Sequence, residues 1–119
     1  MAEPTSDFLS EPLLAQFIPI NIVAAAAQDN TILAAQTGQR IKIVGGWLQS
    51  SAATTLQWMS DLAGSAVAIN GPRTFAVNGA WDLYPSDYGY GYAASGKALN
   101  LKCGAATTIT GFVIVLVTS

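Results

Sequence analysis

Short alternating apolar runs, cut at regular intervals by turn residues, constrain this fold more than any other feature of the sequence. Arg40-Ile41-Lys42-Ile43-Val44 alternates cleanly, Gly45-Gly46 interrupts, and Trp47-Leu48 resumes, as a bulge or bend inside one long strand would. Ile18-Pro19-Ile20-Asn21-Ile22-Val23 also alternates, and Pro19, with no N–H to donate, restricts it to a sheet edge or a strand start. Thr54 to Met59 follows a Ser-Ser-Ala-Ala turn, and Ser65 to Ile69 and Arg73 to Val77 flank Asn70-Gly71-Pro72. Leu99, Leu101 and Cys103 fall on one face of a further run, with Asn100 and Lys102 on the other. Strands this short, with turn signals every eight to twelve residues or so, predict an all-β chain folded as a sandwich or barrel.

The 119 residues fit one domain able to bury a core without staples. Only 10% of them are charged, against roughly a quarter in an ordinary soluble domain. A small monomer needs a polar skin, so this deficit predicts that much of the outer surface is hidden against partners. A net charge of −2, with five Lys and Arg residues scattered from Arg40 to Lys102, gives no footprint for nucleic acid or an anionic membrane. Even an apolar run such as Phe112 to Val117, which no other run exceeds, falls far short of the roughly 18 residues of a spanning helix, and a soluble protein is expected. Met1-Ala2-Glu3-Pro4 has no basic n-region and so does not read as a signal peptide. Cys103, the single cysteine, rules out an intramolecular disulfide and suits a reducing compartment.

Residues 1–16 read as an extended N-terminal arm and 17–119 as the β domain. The arm carries Pro4, Pro12, three acids (Glu3, Asp7, Glu11) and apolar Leu9, Leu13 and Leu14, with Phe17 at its junction. One helical turn around Ser10 to Gln16 is compatible with Ser10-Glu11-Pro12 as an N-cap with proline in the first turn. An arm that is apolar at intervals is expected to dock, either on a neighbouring subunit or on its own domain. The last strand, Ile109 to Val117, is apolar at both parities: Ile109, Val113, Val115 and Val117 alternate with Phe112, Ile114 and Leu116. One face belongs in the core. The other needs a cover, from the chain's own arm or from a second subunit.

Three segments carry a resemblance: Gln39-Arg40-Ile41-Lys42-Ile43, then Ala94-Ser95-Gly96-Lys97-Ala98-Leu99-Asn100-Leu101, and Ile109-Thr110-Gly111-Phe112-Val113-Ile114-Val115. Over about residues 30 to 117 the chain resembles small virion proteins of tailed bacteriophages, the head decoration (cement) and head-fibre proteins. The resemblance implies a single antiparallel jelly-roll β-sandwich, like that of tumour necrosis factor, forming a homotrimer on the capsid surface. It implies synthesis in the host cytoplasm and contact with the major capsid protein or another virion protein. It carries no catalytic residues, and the arm lies outside it.

The residues themselves point away from catalysis. There is no histidine, which removes the commonest general base, the Ser-His and Cys-His pairs and the usual zinc sites. Cys103, at an alternating apolar position, reads as a core residue rather than a nucleophile. Asp61, Asp82 and Asp87 are the only carboxylates beyond Asp29. Two of them flanking a sugar could serve glycoside hydrolysis, and loop capping accounts for them equally well. No metal site, cofactor or enzymatic activity is expected. Arg73 and Lys97 read as solvated strand-end charges.

The richest local feature runs from Trp81 to Tyr92. If Tyr88, Tyr90 and Tyr92 lie on one strand they share a face, and Gly89 and Gly91 leave the opposite face bare. Such a strip suits a self-complementary subunit contact, a platform for a host-surface glycan, or ordinary loop packing. The expected interface is therefore Leu9, Leu13, Leu14, Phe17, Tyr88, Tyr90, Tyr92, Phe112, Ile114 and Leu116. The competing expectation is a carbohydrate- or receptor-binding tip of a fibre or spike.

Overall fold

The computed structural model describes residues 15–61, 66–84 and 89–118, and every described element is a strand. In chain order these are β1 (Ala15–Ala24), β2 (Gln28–Leu33), β3 (Arg40–Ser50), β4 (Thr54–Ser60) and β5 (Val67–Ala68). There follow β6 (Arg73–Phe75), β7 (Ala80–Leu83), β8 (Tyr92–Ala93), β9 (Leu99–Cys103) and β10 (Thr107–Thr118). Among the described residues no helix is long and apolar enough to cross a membrane.

All pairings are antiparallel and sort the strands into two sheets of five. Sheet I has the order β1-β10-β3-β7, with β8 also paired to β3; sheet II has the order β2-β9-β4-β5, with β6 also paired to β4. β1 sits at an edge, where Pro19 needs no ladder partner for the N–H it lacks. β10 is the longest strand, almost wholly β-branched, aromatic and aliphatic, and it lies between β1 and β3.

Alternation turns one face of each sheet inward. Sheet I contributes Ile20, Ile41, Ile43, Leu48, Val113 and Val115 to the common core; sheet II contributes Leu56, Trp58, Leu99, Leu101 and Cys103. Each such large side chain, taken fully out of water, adds about 1.5–3 kcal/mol. Cys103 is fully buried, its Sγ 3.5 Å from the Gln28 carbonyl, which places it in the core as its alternating position predicts.

The irregularity at Gly45-Gly46 is a bulge. Val115 pairs with Ile43 and Ile114 with Gly45, leaving Val44 as the extra residue of β3. Beyond it, Gly46 (φ +145°) and Gly111 (φ +137°) stand where β3 and β10 come unusually close. A Cβ on Gly46 would lie 2.5 Å from the Phe112 carbonyl oxygen, and one on Gly111 would run into the Trp47 carbonyl.

Several expectations need correction. Ala15 and Gln16 belong to β1 and not to a helical turn, and the rest of Ser10 to Gln16 lies outside the described residues. β6 ends at Phe75, short of Val77, because the chain turns at once: the Gly79 N–H donates to the Ala76 carbonyl (2.9 Å) and Asn78 adopts φ +61°. β5 is only Val67–Ala68. Asn100 points away from the Leu99/Leu101/Cys103 face as expected, yet it is buried, its Nδ2 donating to the Asp61 carbonyl at 2.5 Å. β2 and β7 carry too few apolar residues in alternation to have been read as strands.

Candidate assembly surface

The outward positions of sheet I follow from register. Pro19, Phe112 and Trp47 stand side by side across β1, β10 and β3, and so do Phe17, Ile114 and Gly45 in the next row. In the row beyond, Ala15, Leu116, Lys42 and Tyr92 line up across β1, β10, β3 and β8. The face is apolar across β1 and β10 and turns polar toward the far edge, at Lys42 on β3 and Asp82 on β7. Phe17 stacks on Phe112, ring centroids 4.9 Å apart and planes within 19°, yet remains 64% exposed. Val23, on the same face, is 77% exposed. Phe112, Ile114 and Leu116 are only half-buried, because neighbouring strands cover their flanks and nothing described covers their tips.

A depression of about 270 Å³ opens on this face, lined by Gly46, Asp82, Leu83, Tyr84, Phe112 and Ile114. The geometry suits reception of an apolar side chain. Packing a ring or branched aliphatic group there would remove from water surface that the fold itself leaves wet.

The structure thus brings Phe17, Phe112, Ile114 and Leu116 onto one face. Leu9, Leu13, Leu14 and Tyr88 lie outside the described residues, as does Asp87. The tyrosine strip divides. Tyr90 packs against the core cluster and its hydroxyl donates to the Tyr84 carbonyl at 2.5 Å. Tyr92 is 50% exposed on sheet I, with the Arg40 guanidinium 4.9 Å above its ring. Positive φ at Gly89 (75°) and Gly91 (107°) breaks the extended alternation that would have put both rings on one side. Nor is the glycine face bare: the Lys42 side chain and the Ile43 carbonyl crowd Gly89, and the Ile69 side chain lies over Gly91.

Trp47 completes the apolar face and was not anticipated as part of it. Its parity is legible only after the bulge at Val44 is placed, since one extra residue inverts every later side chain. Arg73 lies over the Trp81 ring at 5.4 Å, and Lys97 pairs with Asp61 at 3.4 Å, so both strand-end charges have partners.

A second concavity, of about 590 Å³, opens beside β8. It is lined by Asp61, Val67, Ile69, Gly91, Tyr92 and Lys97, among others. No family model, curated protein or solved structure matches the chain.

Proposed function

We propose that this chain is a structural virion protein of a bacteriophage, a jelly-roll subunit that forms a homotrimer and decorates or reinforces the capsid. The observation that carries the adhesive part of this reading is the outward face of sheet I: Phe17, Trp47, Phe112, Ile114 and Leu116 form a continuous apolar surface around the Gly46 depression. Such a patch on a chain with so few charges is the mark of a surface meant to be covered. The strand order supports the jelly-roll reading. β1-β10-β3-β7 facing β2-β9-β4-β5, with the chain passing between the sheets except from β4 through β6 and from β7 to β8, is the order expected when two Greek keys wind an eight-stranded roll. In that reading β5 with β6, and β7 with β8, are each one interrupted strand.

The phage context and the threefold count come from the resemblance of the segments around Arg40, Lys97 and Gly111. Residues 1–16 serve as the anchor to the shell, and no bond-making is needed. Apolar burial at about 25 cal/mol per Å² exceeds association costs once an interface of ordinary size closes.

Light scattering of the purified chain at micromolar concentration is expected to return three times the 12.3 kDa subunit mass. A stable monomer would overturn the trimer. Co-sedimentation with particles assembled without the protein tests the anchor: deleting residues 1–16 is expected to abolish binding while leaving the fold intact, and unchanged binding would remove the arm from that role.

A further inference from the structure

The pairing register places the start of β1 in line with the pocket beside β8. Ala15 pairs with Leu116, Leu116 with Lys42, and Lys42 with Tyr92, so one straight row crosses sheet I from the arm's exit to the pocket rim. Three strand spacings make that row about 14 Å long, which four or five extended residues cover. The row starts apolar at Leu116 and ends basic. Three of the chain's five basic residues, Arg40, Lys42 and Lys97, lie around Tyr92 and the pocket; Lys97 is paired with the lining residue Asp61 at 3.4 Å, so the cations along the row itself are Arg40 and Lys42. The pocket itself is lined by apolar Val67 and Ile69, and Val67 is 66% exposed.

The segment leading into Ala15 has the complementary order. Counting back along the chain it presents Leu14 and Leu13, then Glu11, then Leu9, Phe8 and Asp7. We propose that residues 1–14 fold back across sheet I of their own subunit, with Leu13 and Leu14 over Leu116, Glu11 beside Arg40 and Lys42, and Phe8 or Leu9 in the pocket. Asp7 then shares the Lys97 ammonium with Asp61 at the far rim. Spacing, apolar order and charge order agree over the whole path, and the arm has length to spare, since 14 extended residues reach about 46 Å. The path leaves Phe17, Phe112, Ile114 and Trp47 open for subunit contact. An arm held this way is unavailable to a shell until it is released, so docking and anchoring compete for one segment.

The test needs no particle, and its outcome is therefore separate from that of the assembly proposal. Leu9→Cys and Val67→Cys are introduced together; the native Cys103 is fully buried and stays silent. Mild oxidation of the dilute protein is expected to give an intrachain disulfide, seen as a monomer on a non-reducing gel and as a linked peptide by mass spectrometry. An interchain link would assign the arm to a second copy, and no link would leave the pocket without it; either overturns the proposal. Reversing Arg40 and Lys97 to Glu is expected to lower the yield about five-fold, as two exposed charge pairs allow. Adding Asp7→Lys and Glu11→Lys should restore it, and failure of both effects would overturn the charge matching. In the unaltered chain, amide exchange protection over residues 7–14 should weaken between low and high salt, where screening removes the rim's attraction. Salt-independent exchange at the unprotected rate would count against docking altogether.

Discussion

Sheet I and sheet II share one core and one alternation, and they differ on the side turned away from it. Outward positions of sheet II include Thr31, Thr55, Gln57, Thr74 and Lys102, whose side chains hydrogen-bond or remain in water; Gln57, for instance, donates to the Asn70 carbonyl at 2.7 Å. The matching positions of sheet I include Phe17, Val23, Trp47, Phe112, Ile114 and Leu116, with Asn21, Lys42, Gln49 and Thr110 the polar ones among them. An antiparallel sheet with one wet face needs polar residues at every second position, and sheet II meets that demand except at Met59, which is buried beside Asn100. Sheet I does not. Inner faces set the fold, and the contrast between outer faces is the observation on which the proposed assembly rests.

The largest effect is expected from making the two outer faces alike. Ile114→Asp puts a carboxylate into the middle of the sheet I face, and burying it unpaired in a contact costs several kcal/mol. Self-association should weaken by about a thousand-fold or more, which corresponds to about 4 kcal/mol. Gln57→Asp on sheet II should leave it unchanged. Light scattering across a dilution series reads both, and equal effects from the two variants would erase the distinction between the faces. The shared core comes next. Trp58 is fully buried, and its indole N–H finds no acceptor among the described residues. Trp58→Ala is expected to cost about 3–5 kcal/mol in urea unfolding, in one cooperative step because both sheets pack on the same cluster.

Most of the inner architecture was legible because alternation reports burial directly. Ile41, Ile43, Leu99, Leu101 and Cys103 fall inward as their parity says, and Pro19 marks the edge strand. The apolar outer residues of β10 were legible for the same reason, since no strand apolar at both parities can face water. What failed depended on backbone details that parity does not encode. The φ values at Gly89 and Gly91 split Tyr90 from Tyr92, the bulge at Val44 sent Trp47 outward, and the turn at Asp61 (φ +82°) carried a carbonyl over Asn100 and buried it. β2, with Gln28, Asp29, Asn30 and Thr31 at its start, is strand by pairing to β9 rather than by composition.

Glycines sharpen the comparison next. On sheet I, Gly111 sits at φ +137° and its added Cβ would strike the Trp47 backbone carbonyl, which cannot move without breaking the β3–β10 ladder. Gly104, between β9 and β10 and against sheet II, has an ordinary φ. Its added Cβ would meet only the Thr55 hydroxyl, the end of a side chain that can rotate. Gly111→Ala is therefore expected to cost about 3 kcal/mol, and Gly104→Ala less than about 1 kcal/mol. Similar melting-point losses for the two would mean that the close approach of β3 and β10 is softer than the register implies.

A smaller effect than that of Gly111→Ala is expected at the seam where sheet I hands the chain to sheet II. Ser50 ends β3 and Thr107 begins β10; their hydroxyls lie 2.6 Å apart, both residues are buried, and Ser50 donates on to the Ala52 carbonyl at 2.7 Å. Each hydroxyl has a single proton, so Ser50 spends its own on Ala52 and Thr107 donates to Ser50. The Ala52 N–H closes the set by donating to the Thr107 oxygen at 3.2 Å. Thr107→Val keeps the shape, removes one donor and leaves the Ala52 N–H without its acceptor, for an expected loss of about 1–2 kcal/mol. Ser50→Ala should cost no more, because water can reach the turn carbonyl it releases. Urea titration of both variants decides the order: a Ser50→Ala loss well above that of Thr107→Val would show that the turn, rather than the hydroxyl pair, joins the two sheets here.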